Sequence, residues 1–295
     1  MRSGQRLLSL GVFLLGARLA LGQVEPTAHF ANLDGVRVHY TNYGTGEKAL
    51  LFVHGWSSDE TVWKKQAPEL AKSIRVLTVD LPGHGQSDKP GPAGQSDRPE
   101  IAYTMDYYAR ALDAVIHDAG VKKAVLIGHS NGTPVVRQFY RHYPDETAGL
   151  VIVDGSLRPL GTPEEMEKFI APFRGPDYAA VAGKFIDGIT APMRDPAERV
   201  EVKKIMLRTP QRVAVSEFEA TFDPALWQPD KIDVPVLVVL AKSPFWTDEY
   251  LKFVRDLAPK AEIEIFDGVS HFLMLDKPQE FNRTVLAFLK KNQLL

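Results

Sequence analysis

Gly128-His129-Ser130-Asn131-Gly132 is the stretch on which the fold turns. It follows an apolar run, Ala124 to Ile127, and leads into a helix-like segment, Val135 to Tyr143. A strand that reverses through Gly-x-Ser-x-Gly into a helix lifts the serine hydroxyl above a sheet, at a helix N-terminus that favours developing negative charge. The flanking glycines suit such a turn because side chains there would clash. Alone, the five-residue motif is a weak signal. Its place between strand and helix makes Ser130 a candidate nucleophile.

Outward from this turn, short apolar runs recur at Ala49 to Val53, Val76 to Val79, Leu150 to Val153, Val236 to Leu240 and Ile263 to Phe266, most of them separated by helix-compatible stretches. Uninterrupted apolar strands imply burial on both faces. Their alternation with helices predicts an α/β fold with a mostly parallel, doubly wound sheet, whose functional loops gather at the strands' C-terminal ends. Phe30 to Leu33 and Val36 to Tyr43 flank Asp34-Gly35, a pair suited to a two-residue hairpin turn, so an antiparallel hairpin is expected at one edge. Between Leu157 and Lys231 the rhythm changes to about three amphipathic helices: Pro163 to Phe173, Pro176 to Ile189, and Pro196 to Phe222, the last broken at Pro210. This predicts a helical cap over 157–231, inserted into a core built from 23–156 and 232–295.

Composition narrows the function. The 295 residues are 44% hydrophobic and 24% charged with a net charge of −2, ordinary for a globular enzyme and without the clustered Lys and Arg that nucleic acid requires. Small neutral or apolar substrates fit better. At the N-terminus, Arg2 and Arg6 precede an apolar run from Leu7 to Leu15, followed by Ala20-Leu21-Gly22, the pattern of a secretory signal peptide over 1–22. The run is shorter than the roughly 20 residues of a membrane span. A secreted or periplasmic protein is therefore expected; the alternative is an uncleaved leader on a cytoplasmic or membrane-anchored chain. Absence of cysteine excludes disulfides, zinc-thiolate sites and a cysteine nucleophile. Gly85-Gln86-Ser87-Asp88-Lys89-Pro90 recurs nearly unchanged from Gly94 to Pro99, which reads as a duplicated surface loop.

Three further segments carry potential chemistry. His271, in Gly268-Val269-Ser270-His271-Phe272, follows the last strand and precedes a closing helix, Pro278 to Asn292, where a sheet enzyme delivers an imidazole to its nucleophile. His54-Gly55-Trp56 ends the strand Ala49 to Val53, and the Trp56 N–H, with the Asn131 N–H after the nucleophile, would form an oxyanion hole. Asp80-Leu81-Pro82-Gly83-His84-Gly85 reads as a braced loop and not as catalytic machinery. His129 is structural within its turn, and His142 falls in the helix after it. The eight histidines show no H-x-x-x-H pair and no neighbouring carboxylate at ligand spacing, so neither a metal nor an organic cofactor is expected.

Together, in this order, His54-Gly55-Trp56, the Asp80 to Asp88 loop, the Ser130 elbow and His271-Phe272 followed by Pro278 resemble the α/β-hydrolase superfamily, in particular its capped esterase, lipase and dehalogenase-like group. The resemblance runs from about Phe30 to the C-terminus. It implies the chain order Ser, acid, His, the cap position, and a bracing role for His54 beside the elbow. The acid departs from the common pattern, which places Asp near Ser243-Pro244-Phe245, where no carboxylate stands. Asp154, closing the strand Leu150 to Val153, and Asp248, at a helix start, are the alternatives; the strand end favours Asp154. With serine at the elbow, the dehalogenase and epoxide hydrolase chemistries that need an aspartate nucleophile recede. Hydrolysis of an apolar carboxylic ester through an acyl-enzyme is the expected activity, the alternatives being a lactonase, C–C hydrolase or perhydrolase on the same residues, or a ligand-binding module. Ten aromatic residues, Trp56, Trp63, Phe169, Phe173, Phe185, Phe218, Phe222, Trp227, Phe245 and Trp246, are expected to serve mostly as core or cap packing, with a few lining an apolar pocket.

Overall fold

The computed structural model describes residues 25–91 and 102–295. The expected signal peptide and the second copy of the Gly85 to Pro90 sequence lie outside the described residues. Eight strands, β1 (Thr27–Leu33), β2 (Val36–Tyr43), β3 (Lys48–Val53), β4 (Arg75–Val79), β5 (Lys123–His129), β6 (Thr147–Val153), β7 (Val236–Ala241) and β8 (Ala261–Phe266), form one sheet in the order β1-β2-β4-β3-β5-β6-β7-β8. β1 and β2 pair antiparallel at one edge, and β3 to β8 run parallel. The edge hairpin closes as its sequence predicts, with Leu33 opposite Val36 and both turn residues in the left-handed region, Asp34 at φ 50° and Gly35 at φ 82°.

Ten helices complete the frame among the described residues: α1 (Ala67–Leu70), α2 (Met105–Asp118), α3 (Gly132–His142), α4 (Pro163–Ile170), α5 (Tyr178–Thr190), α6 (Pro196–Met206), α7 (Gln211–Ala220), α8 (Asp248–Leu257), α9 (Leu273–Asp276) and α10 (Pro278–Lys291). Alternate residues of β3 feed two cores. Ala49, Leu51 and Val53 pack with α2, α3 and α8, while Leu50 and Phe52 pack with α1, α9 and α10. Each fully buried Leu or Phe contributes roughly 1.5–3 kcal/mol. β8 departs from the expected double burial. It is the sheet edge opposite the hairpin, its acidic Glu262 and Glu264 alternate with apolar residues, and Ile265 is 48% exposed. Charge on an outer strand discourages edge-to-edge pairing.

Between β6 and β7 the chain forms α4 to α7. Thr162 and Glu165 make a reciprocal capping box at α4, and the break foreseen at Pro210 separates α6 from α7, since proline supplies no N–H to continue a helix. A buried arginine on α3 joins both ends of this insertion: Arg137 Nη1 donates to the Leu157 carbonyl at 2.8 Å and Nη2 donates to the Gln228 carbonyl. The strand order reverses between β3 and β5, whose C-terminal ends carry His54-Gly55-Trp56 and Ser130. Ligands of open α/β sheets bind at such a switch point. No helix among the described residues is long and apolar enough to cross a membrane.

Candidate active site

Ser130 follows β5 directly and stands at φ 52°, its N–H donating to the Val153 carbonyl at 2.9 Å. A left-handed serine is strained, by a cost on the order of 1–3 kcal/mol. The neighbouring chain leaves space only for glycine: a Cβ on Gly132 would lie 2.7 Å from the His54 carbonyl oxygen, and one on Gly128 would lie 2.5 Å from the Gly132 oxygen. Tight packing of β5, β3 and α3 thus holds the serine where its side chain lines a cavity.

His271 lines the same cavity, without a direct hydrogen bond to Ser130. Its Nδ1 lies 2.7 Å from Asp154 Oδ2. The other oxygen, Asp154 Oδ1, accepts from the Ala241 N–H at 2.9 Å and from the Trp246 indole N–H at 3.0 Å. Both carboxylate oxygens are therefore fixed, and the group is 7% exposed. Asp248 is instead the first residue of α8, behind the Thr247 cap, with no hydrogen bond or ion pair to His271. The backbone also constrains His271: its N–H donates to the Ile189 carbonyl of α5 at 3.2 Å, and its carbonyl accepts from His129 Nε2 at 2.9 Å. Burial, with the nearby His271, holds the His129 pKa well below its ordinary range, so that ring is neutral.

The backbone N–H groups of Trp56 and Asn131 have no hydrogen-bond partner among the described residues, and both residues line the cavity. His54 Nε2 accepts from the Leu81 N–H at 3.1 Å, tying the β3 loop to the β4 loop. Asp80 accepts from the Glu60 and Gln86 N–H groups, both at 2.8 Å, and from His39 at 3.0 Å; His142 sits against Asp106 at 2.8 Å. None of these lines the cavity. The expectation that no carboxylate stands at ligand spacing from a histidine needs correction. Asp113 and His117, four apart on α2, approach to 3.1 Å beside Glu146, and His39, Glu60 and Asp80 form a second such group, each within 4.8 Å. Helical i, i+4 spacing produces the first and tertiary packing the second.

The cavity has a volume of about 820 Å³. Eight of the ten aromatic residues singled out in the sequence line it, all except Trp63 and Phe173; most also pack in or against the two cores, as expected, but far more than a few face the cavity. Leu160, Met166, Ile189 and Met206 join them from the cap, and no Lys or Arg is among the described lining residues. Those aliphatic positions are missed in the sequence because an amphipathic helix shows which face is buried, not whether it meets a core or a cavity. Glu217 is missed as well. It lies on the buried face of α7 with Val213, Ala214 and Phe218, and a carboxylate on an apolar stripe is the signal that singles it out.

The sequence model of the alpha/beta hydrolase family matches residues 50–284. A 2-hydroxy-6-oxononadienedioate/2-hydroxy-6-oxononatrienedioate hydrolase of Burkholderia vietnamiensis is 27% identical over 289 residues, covering 90% of this chain and 96% of that one. Among solved structures, an N-acyl homoserine lactone degrading enzyme superposes with a TM-score of 0.72 at 28% identity, covering 88% of this chain and all of that one. An esterase from Exiguobacterium antarcticum gives 0.75 at 19% identity, over 90% of this chain and 99% of that one, a likeness of fold.

Proposed function

Because this chain belongs to the α/β-hydrolase family, we propose that it is a serine hydrolase that cleaves an uncharged carboxylic ester through an acyl-enzyme. The observation that carries the reading is the His271–Asp154 pair at 2.7 Å, opening on the same apolar cavity as Ser130. Asp154 holds the Nδ1 proton and leaves Nε2 of His271 as the base for Ser130 Oγ. Attack on the ester carbonyl moves charge to its oxygen, which the Trp56 and Asn131 amides, without a partner among the described residues, receive. His271 then returns the proton to the departing alcohol, and a water activated by the same imidazole releases the acid.

A lactone is the second substrate class, favoured by the 28% identity to the lactone degrading enzyme. Ring opening uses the same steps, the alkoxide staying attached to the acyl group. A dicarboxylate such as the Burkholderia hydrolase's name describes suits this cavity poorly, since no Lys or Arg among the described residues lines it to meet a second carboxylate. The test is hydrolysis of p-nitrophenyl esters of increasing acyl length, beside acyl homoserine lactones, with Ser130→Ala as the blank. Turnover that survives in Ser130→Ala, or no turnover of either class by folded protein, overturns the reading.

A further inference from the structure

The loop that leaves β3 is held from above by the insertion. Ser57 is fully buried at φ 54°, a left-handed conformation that a serine does not keep without support. Three hydrogen bonds supply it: the Trp56 indole N–H donates to the Ala214 carbonyl at 2.8 Å, Thr209 Oγ1 to the Ser57 carbonyl at 3.0 Å, and the Ser57 N–H to Glu217 Oε2 at 3.2 Å. Glu217 is 1% exposed, and its carboxylate also accepts from the Tyr108 hydroxyl and from His84 Nε2, each at 3.2 Å. The second nitrogen of His84 faces the Pro82 carbonyl at 3.3 Å, so both ring nitrogens meet acceptors. Burial opposes a charge on His84, but the Glu217 carboxylate outweighs it and raises the pKa. A buried ion pair of this kind adds little stability over a well-packed apolar pair. What Glu217 adds is an acceptor aimed at one backbone amide.

We propose that Glu217 is a positioning residue for the oxyanion hole: from α7 it fixes the Ser57 amide, and so the chain that aims the adjacent Trp56 N–H at the reacting carbonyl. The inference rests on the reading of Trp56 as an oxyanion donor. It makes docking of α7 a condition for transition-state stabilisation, beyond any role in shaping the cavity.

Glu217→Met removes the acceptor at nearly constant shape, whereas Glu217→Gln keeps an oxygen for Ser57 while the Tyr108 hydroxyl rotates to accept from the new amide. Loss of one oxyanion donor outright costs about 10²–10³ in kcat. A displaced donor should cost at least tenfold. The expected result for Glu217→Met is that loss in kcat with KM within twofold, a parallel weakening of an alkyl boronic acid that forms a tetrahedral adduct on Ser130, and near wild-type values for Glu217→Gln. Ser57→Gly in the Met background should recover part of kcat, since glycine holds the positive φ unaided. Unchanged kcat, or a rise in KM alone, overturns the proposal. If Glu217→Met does not fold, Thr209→Val, which frees the other side of Ser57, should give the same kcat signature, and its absence counts equally against the idea. Amide exchange across residues 54–58, read by mass spectrometry, must rise in the folded variant. That readout needs no turnover, so it judges Glu217 even where the wild-type protein fails to cleave esters and the functional reading falls.

Discussion

Asp154→Asn changes one atom at the pair that carries the functional reading, and the structure dictates how the new amide must sit. Two donors, the Ala241 N–H and the Trp246 indole, converge on Oδ1 at 2.9 and 3.0 Å. Only an oxygen satisfies both, so the amide oxygen stays there and the NH₂ turns to His271 Nδ1, 2.7 Å from the atom it replaces. His271 then accepts at Nδ1 and carries its proton on Nε2, so the imidazole offers Ser130, the proposed nucleophile, a donor instead of a base. Inverting the tautomer of a catalytic histidine in this way costs about 10⁴ in kcat, or ~5 kcal/mol of activation free energy. Folding should be spared, because Asp154 stands at φ 44°, a region that asparagine tolerates better than other residues. The assay is kcat/KM on the best p-nitrophenyl ester, with thermal melts of both proteins and with Asp248→Asn as the comparison. A loss of less than tenfold in Asp154→Asn, or an equal loss in Asp248→Asn, refutes the assignment.

Gly55→Ala should abolish turnover in a folded protein, because the new Cβ would sit 2.9 Å from Ser130 Cβ and 3.0 Å from the His129 carbonyl oxygen; retained activity at native melting temperature counts against the elbow geometry. Phe185→Ala should move the acyl-length optimum to longer chains, with each newly buried CH₂ contributing ~0.8 kcal/mol, about fourfold in kcat/KM; an unmoved optimum places the acyl group elsewhere in the cavity. His129 is buried and its pKa is depressed, so the unfolded chain takes up a proton there that the folded chain refuses, and stability is lost as pH falls below the unfolded value of about 6.5. Urea titrations should show the wild type losing up to ~1.4 kcal/mol per pH unit more than His129→Gln between pH 6.5 and 5, and parallel curves would place the cost elsewhere.

What was legible in the sequence is what short segments decide for themselves. The elbow declares itself because Gly128, Ser130 and Gly132 must satisfy a local turn between a strand and a helix, and the Asp34-Gly35 hairpin obeys the same kind of rule. The sequence tips the choice toward Asp154 over Asp248 by its strand-end position without fixing it, because the rest of the difference is made by distant chain. The N–H of Ala241 and the indole of Trp246, 87 and 92 residues downstream, create the socket that holds the Asp154 carboxylate. β8 misled because apolar residues alternating with glutamate satisfy a one-sided edge strand as readily as Ile263 and Ile265 suggest a buried one. In each case the hidden quantity is which other segment lies alongside, and pairing in the sheet settles it.

The same consideration bears on the helical insertion. Residues between β6 and β7 look separable in sequence, a specificity element laid over a self-sufficient sheet. Yet α5 supplies the Ile189 carbonyl that holds the His271 N–H at 3.2 Å, and α7 supplies the Ala214 carbonyl that anchors the Trp56 indole at 2.8 Å. The loops bearing the proposed base and a proposed oxyanion donor are thus each tethered to the insertion by a backbone acceptor, independently of side-chain identity at those positions. Point substitutions that reshape the cavity leave both tethers in place and should alter KM and chain-length preference. Replacing the insertion wholesale removes them, and the resulting loss should appear in kcat even for the smallest ester, which makes no use of the cavity's outer walls.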